Sequence, residues 1–167
     1  MKIKCSNIEK TKELAGLFSK YVKDNGAFIT LRGEIGAGKT AFTRFLLKEI
    51  GVKETVTSPT FVILNEYHSE DHISIYHFDL YRLEKTGLKT IMPEIEEYSS
   101  GNNLTLIEWA DFGENELPKE RLDILISYDK NSENSRIFEI TPCGEKANNI
   151  YKKICLEYEE KHASACI

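Results

Sequence analysis

GEIGAGKT occupies residues 33–40, directly after the apolar run AFITL at residues 27–31. It places Gly33, Gly36, Gly38, Lys39 and Thr40 within eight residues and matches G-x-x-x-x-G-K-[ST], the phosphate-binding loop. Each residue type has a physical reason to be there. Glycines let successive backbone N–H groups approach phosphate oxygens with no Cβ in the way. A helix opening near Lys39 aims its free N–H groups and positive dipole end at the same point. Lys39, expected to face solvent, supplies a mobile cation for the β- and γ-phosphates, and the Thr40 hydroxyl can ligate Mg²⁺. A chance match in a turn would lack the flanking strand and helix, and both are in place: residues 41–50 carry Phe42, Phe45, Leu46 and Ile50 at helical spacing, with Gly51 as terminator.

The rest of the chain reads outward from this loop. Residues 2–5 suit a short strand. Ser6 and Glu9 have capping-box spacing, and Ile8, Leu14, Leu17, Phe18 and Val22 then keep one side of a helix that Asn25-Gly26 closes. Residues 61–64 and 73–78 read as strands of a hairpin around the polar connection 69–72. Pro93 opens a short helix ending near residue 100. Residues 104–107, 122–128 and 136–140 read as further strands. Residues 144–161 form a polar helix with Ile150, Ile154 and Tyr158 on one side, and 162–167 form a fraying tail. The expected class is α/β: a three-layer, P-loop NTPase-like fold with a mixed, partly antiparallel sheet flanked by helices, in one domain over residues 1–161.

Composition excludes several classes. Of 167 residues, 41% are hydrophobic and 29% charged, ordinary for a soluble globular chain, and no apolar stretch nears the ~20 residues that span a bilayer. Residues 1–6 lack a secretory pattern, and the scattered Cys5, Cys143, Cys155 and Cys166 form no C-x-x-C pair, so a reduced, cytoplasmic protein without a structural metal is expected. The net charge of −5, without a basic cluster, argues against direct, tight binding of DNA or other nucleic acid by this chain alone.

A phosphate loop with Mg²⁺ calls for an acid at the end of a strand beside the loop strand. Asp79 ends the run IYHF and Glu108 ends LTLI. The second run is uniformly apolar, as a buried central parallel strand is. Glu108 is therefore the preferred Mg²⁺-side carboxylate, and Asp79 the candidate for orienting water or making a second metal contact; either could instead be a capping or surface acid. Trp109 can serve the site or pack in the core. Tyr81 and Arg82 can form a structural cluster or serve a partner or phosphate charge. His68, His72 and His77 read as hairpin residues without zinc-ligand spacing.

LRGEIGAGKT (31–40), SPTFVILNEY (58–67), HFDLYRL (77–83) and IEWA (107–110), in this order and spacing, resemble the bacterial TsaE (YjeE) family. The likeness covers roughly residues 6–128. It implies a small P-loop ATPase required for threonylcarbamoyladenosine formation at position 37 of tRNA, with ATP and Mg²⁺ as cofactors and TsaD and TsaB as partners, tRNA being met only through the complex. It also implies a nucleotide-binding stretch of Gly33, Glu34, Ile35, Gly36, Ala37, Gly38, Lys39, Thr40 and Ala41. Thr60 of the switch-like Ser58-Pro59-Thr60 falls near the γ-phosphate, Lys39, Asp79 and Glu108 in catalysis, Thr40 and Glu108 at Mg²⁺. Trp109 falls beside the nucleotide, and so does Thr11 from the first helix. The chain departs from the family in Glu34 and Ile35, where Asp and Leu are usual, and in Ala41, where a second Thr is common. A small-molecule kinase would need an arginine-rich lid and a guanine-nucleotide switch an N-K-x-D motif, and neither is in the sequence; a nucleotide-binding scaffold without turnover differs from an ATPase only by assay.

Overall fold

The computed structural model describes residues 1–84, 87–113 and 116–163. Seven strands form one sheet in the order β1-β7-β6-β2-β5-β4-β3. They are β1 (Lys2–Cys5), β2 (Ala27–Arg32), β3 (Leu64–His68), β4 (Ser74–Asp79), β5 (Leu104–Glu108), β6 (Arg121–Asp129) and β7 (Ser132–Cys143). β2 runs parallel to β5 and β6, and β4 parallel to β5; the β1–β7, β6–β7 and β3–β4 pairs are antiparallel. The sheet is thus parallel at its centre and antiparallel toward both edges, the mixed sheet expected. β5 is buried along its whole length and β2 over all but its last residue, as strands covered on both faces must be.

Alternation along the strands separates two cores. Ile29 and Leu31 of β2, with Leu104 and Leu106 of β5, join the core beneath α1 (Ile8–Val22), α2 (Lys39–Ile50) and α4 (Glu145–Ala163). Phe28, Phe78 and Ile107 point the other way, toward Ile95 of α3 (Met92–Tyr98) and the 3-10 turn Tyr81–Leu83. The result is three layers of α/β, a P-loop NTPase-like fold. No helix among the described residues is long and apolar enough to cross a membrane.

Four local expectations are corrected. The strand expected at 61–64 begins only at Leu64: the Pro59 carbonyl accepts from both Val62 and Ile63, which closes a turn with Ile63 left-handed (φ 71°), and Phe61 is left 84% exposed. The first-helix cap is Asn7, whose side chain accepts from the Lys10 N–H, so the Ser6–Glu9 spacing is incidental. Ile8, placed on that helix's apolar side, is exposed because it sits in the first turn beyond the core. At the other end, His162 and Ala163 are still helical, and residues 164–167 lie outside those described.

Glu157 ties α4 to α1: its carboxylate accepts from Lys20 (2.5 Å) and Tyr21 (2.7 Å) and pairs with Lys161 (2.7 Å). These partners, Lys161 foremost, pull its pKa from 4.5 down to about 2. A carboxyl more acidic in the folded than in the unfolded chain stabilises fully above pH 4.5, and that contribution is lost as pH falls toward 2. Glu157→Gln should therefore cost ~1 kcal/mol at pH 7 and almost nothing near pH 2, measured by urea unfolding. An equal cost at both pH values would refute the charge as its source.

Candidate functional site

β2 delivers the chain into the loop, and close approach to β6 dictates glycine at its first position: a Cβ on Gly33 (φ 135°) would lie 2.1 Å from the Ile126 carbonyl oxygen. Gly36 and Gly38 also hold positive φ, and α2 begins at Lys39 with no side-chain cap, leaving its first N–H groups facing the loop. The Lys39 ammonium folds back to donate to the carbonyls of Gly33 (2.6 Å) and Glu34 (2.9 Å), and sits 3.7 Å above the Trp109 ring centre. Lys39 is only 5% exposed, which corrects the expectation of a solvent-facing cation. Burial lowers its pKa, opposed by the charges of Glu108, Asp79 and Asp111.

Strand register assembles the acids. Glu108 lies opposite Leu31 in β2 and opposite Asp79 in β4, so both carboxylates stand at the carboxyl ends of neighbouring parallel strands, the usual place for a ligand in an open α/β sheet. The Thr40 hydroxyl donates to Glu108 Oε2 at 2.8 Å, and Glu108 Oε1 lies 2.9 Å from His77 Nε2. Asp79 Oδ2 accepts from the hydroxyls of Ser58 (2.8 Å) and Thr60 (2.5 Å), and Oδ1 from the Tyr81 N–H (3.0 Å). Both acids are buried, so neither is an ordinary surface residue.

Trp109, which follows Glu108, is held left-handed (φ 62°) with its N–H on the Leu31 carbonyl. Its ring packs on the second core and also lies under Lys39 and 5.0 Å from the Tyr81 ring, so it lines the site and the core together. Arg82 stands 5.9 Å from the Phe61 ring.

Two cavities meet at the loop. One, of about 260 Å³, holds Lys39, Thr40, Thr60, Asp79, Glu108 and Trp109; the other, of about 450 Å³, lies between Thr11 of α1 and the Arg136–Phe138 stretch of β7. Gly36, Gly38 and Ala41 line both. Ala37 is buried and lines the larger, whereas the side chains of Glu34 and Ile35 are exposed, so these two bring the loop mainly their backbone. The structure thus gathers the residues singled out from the sequence. It adds His77, Tyr128 and Arg136, and bonds Ser58 of the switch-like segment to Asp79. The signal for His77 was its two-residue spacing from Asp79, which puts both side chains on one face of β4. Tyr128 and Arg136 gave no local signal.

A family model described as "Threonylcarbamoyl adenosine biosynthesis protein TsaE" matches residues 5–138, most of the chain. The chain belongs to the TsaE family. Among TsaE relatives, the Bacillus subtilis "tRNA threonylcarbamoyladenosine biosynthesis protein TsaE" is 36% identical over 157 residues, covering 94% of this chain and 92% of that protein. The Haemophilus influenzae TsaE of the same name is 34% identical over 133 residues, covering 80% and 83%. The crystal structure of Bacillus subtilis YdiB superposes with a TM-score of 0.75 at 32% identity, covering 94% of this chain and 95% of that one.

A TsaE site that bound Mg²⁺ would need hard oxygen donors. Among the described residues no cluster of three His, Cys, Asp or Glu side chains could hold a metal unaided. The Thr40 hydroxyl and Glu108 carboxylate, 2.8 Å apart at the foot of the loop, fit an ion that takes one or two protein oxygens and fills its shell with phosphate and water.

Proposed function

We propose that this chain binds ATP with Mg²⁺ and hydrolyses it slowly, as the ATPase component of tRNA N6-threonylcarbamoyladenosine (t6A37) formation. It would act in the cytoplasm with TsaD and TsaB and meet tRNA only through that complex. The observation that carries the proposal is the Thr40–Glu108 pair, set at the foot of a glycine loop with Lys39 and Asp79 around the same cavity. Names carried by the relatives support the tRNA role.

In this proposal the cavity beside Thr11 takes the nucleoside, and the amides of Gly36, Gly38, Lys39 and Thr40 take the phosphates. Lys39, bonded in this structure to two neutral carbonyls and pressed toward neutrality by burial, exchanges them for the β- and γ-phosphate oxygens, where its charge is better matched. Thr40 and Glu108 would hold Mg²⁺, which would supply neutralisation of the negative charge on the phosphates. Asp79 orients the attacking water, and the hydroxyls of Ser58 and Thr60, both bonded to it, tie the 58–60 segment to the state of that position. The Trp109 ring shields the ammonium from water, which strengthens its pull on the phosphates. Turnover then resets the assembly; it does not itself make the modification.

Phosphate release by the purified chain with Mg-ATP, alone and with TsaB and TsaD, tests this directly. Slow release alone and faster release with both partners is expected. A chain that neither binds Mg-ATP nor turns it over in the presence of the partners would end the proposal.

A further inference from the structure

The phosphate loop is gripped from outside by two side chains of the β6–β7 hairpin. Tyr128 and Arg136 lie opposite one another in the hairpin register, with the guanidinium 4.4 Å from the ring centre. The Tyr128 hydroxyl donates to the Ile35 carbonyl (2.9 Å), and Arg136 Nε donates to the Ala37 carbonyl (3.0 Å). Arg136 is itself braced: its Nη1 donates to the carbonyls of Glu133 (2.7 Å) and Ser135 (2.9 Å).

In a trans peptide the C=O and the following N–H point in opposite directions. A hairpin that draws the Ile35 carbonyl toward itself turns the Gly36 N–H away, and drawing the Ala37 carbonyl does the same for Gly38. Both glycines line the cavity that holds Lys39 and Thr40. Glycine peptide planes reorient easily for want of a Cβ, so a loop of this composition has many amide orientations to lose on binding an anion. A loop already held in one orientation loses fewer.

We infer that Tyr128 and Arg136 are positioning residues of the nucleotide site, which aim the Gly36 and Gly38 amides at the phosphates without touching them. This rests on the nucleotide reading proposed above and assigns a task to residues that lie about ninety positions beyond the loop. Tyr128→Phe removes the hydroxyl and keeps the ring beneath Arg136; Arg136→Met removes the donors and keeps most of the stem.

The test measures binding of Mg-ADP and of inorganic pyrophosphate by calorimetry, together with the backbone N–H order parameters of Gly36 and Gly38 in the ligand-free chain, read by NMR relaxation. Tyr128→Phe should weaken both ligands alike, by about fivefold, as loss of one orienting hydrogen bond implies. Arg136→Met should weaken pyrophosphate by about as much and Mg-ADP by at least as much, since Arg136 also lines the cavity assigned to the nucleoside. The order parameter should fall at Gly36 in Tyr128→Phe and at Gly38 in Arg136→Met, with the melting temperature of Tyr128→Phe unchanged. Wild-type affinities in both variants would overturn the inference and leave the nucleotide site standing. So would weakening of Mg-ADP without pyrophosphate, since the contacts would then serve the nucleoside. A wild-type chain that binds neither ligand would overturn the inference and the nucleotide reading together.

Discussion

Lys39→Ala is expected to weaken Mg-ATP binding by roughly 30- to 100-fold, the loss that follows from removing charge-assisted hydrogen bonds to phosphate. The fold should survive. The Lys39 side chain is buried, but its ammonium rests on two loop carbonyls and an indole face, outside the two apolar clusters that hold the sheet and helices together. Its charge is already disfavoured by burial, so removing it relieves a cost in the ligand-free chain while withdrawing the cation a triphosphate needs. Lys39→Met separates the two effects, since it keeps the stem over Trp109 and deletes only the donors. Calorimetric titration with Mg-ATP beside a thermal melt gives both readouts. Wild-type affinity in either variant would remove Lys39 from the site.

Glu108→Ala should act on turnover more than on binding. Phosphate release is expected to fall by at least about 100-fold, the scale seen when a preorganised electrostatic contact to a transition state is deleted. Mg-ATP affinity should change much less, because amides and Lys39 carry most of the phosphate contact. Both carboxylate oxygens have partners: Oε2 takes the Thr40 hydroxyl and Oε1 faces His77, which is completely buried. Truncation to Ala strands the His77 ring nitrogen away from water, takes the acceptor from the Thr40 hydroxyl and carries a stability penalty of ~1–3 kcal/mol. Glu108→Gln, near in volume, keeps an acceptor for Thr40 and should recover much of the stability without the turnover. ATPase rates equal to wild type in Glu108→Gln, measured at saturating Mg-ATP, would dismiss the metal-side role.

His77 follows from the same geometry. It read as a hairpin residue, and it does lie on a hairpin strand. Its partner, however, is 31 residues away on β5, and the contact exists because β4 and β5 run parallel with Asp79 opposite Glu108.

The glycine loop, the strand before it and the helix after it are legible from residues 27–50 alone, because missing Cβ atoms, apolar runs and helical spacing act over neighbours. The same holds for β5, whose unbroken apolar run marks a strand covered on both faces, with Glu108 at its end. β3 starts at Leu64, later than hydropathy predicts, because one proline carbonyl captures two N–H groups and turns Phe61 and Val62 outward. What no stretch of residues contains is which side chains meet across the sheet. Strand order brings Tyr128 and Arg136 to a loop 93 and 99 residues earlier in the chain, and brings His77 to Glu108. Such encounters depend on register and on the burial of whole layers, terms that sum over the molecule and leave no mark at any one position.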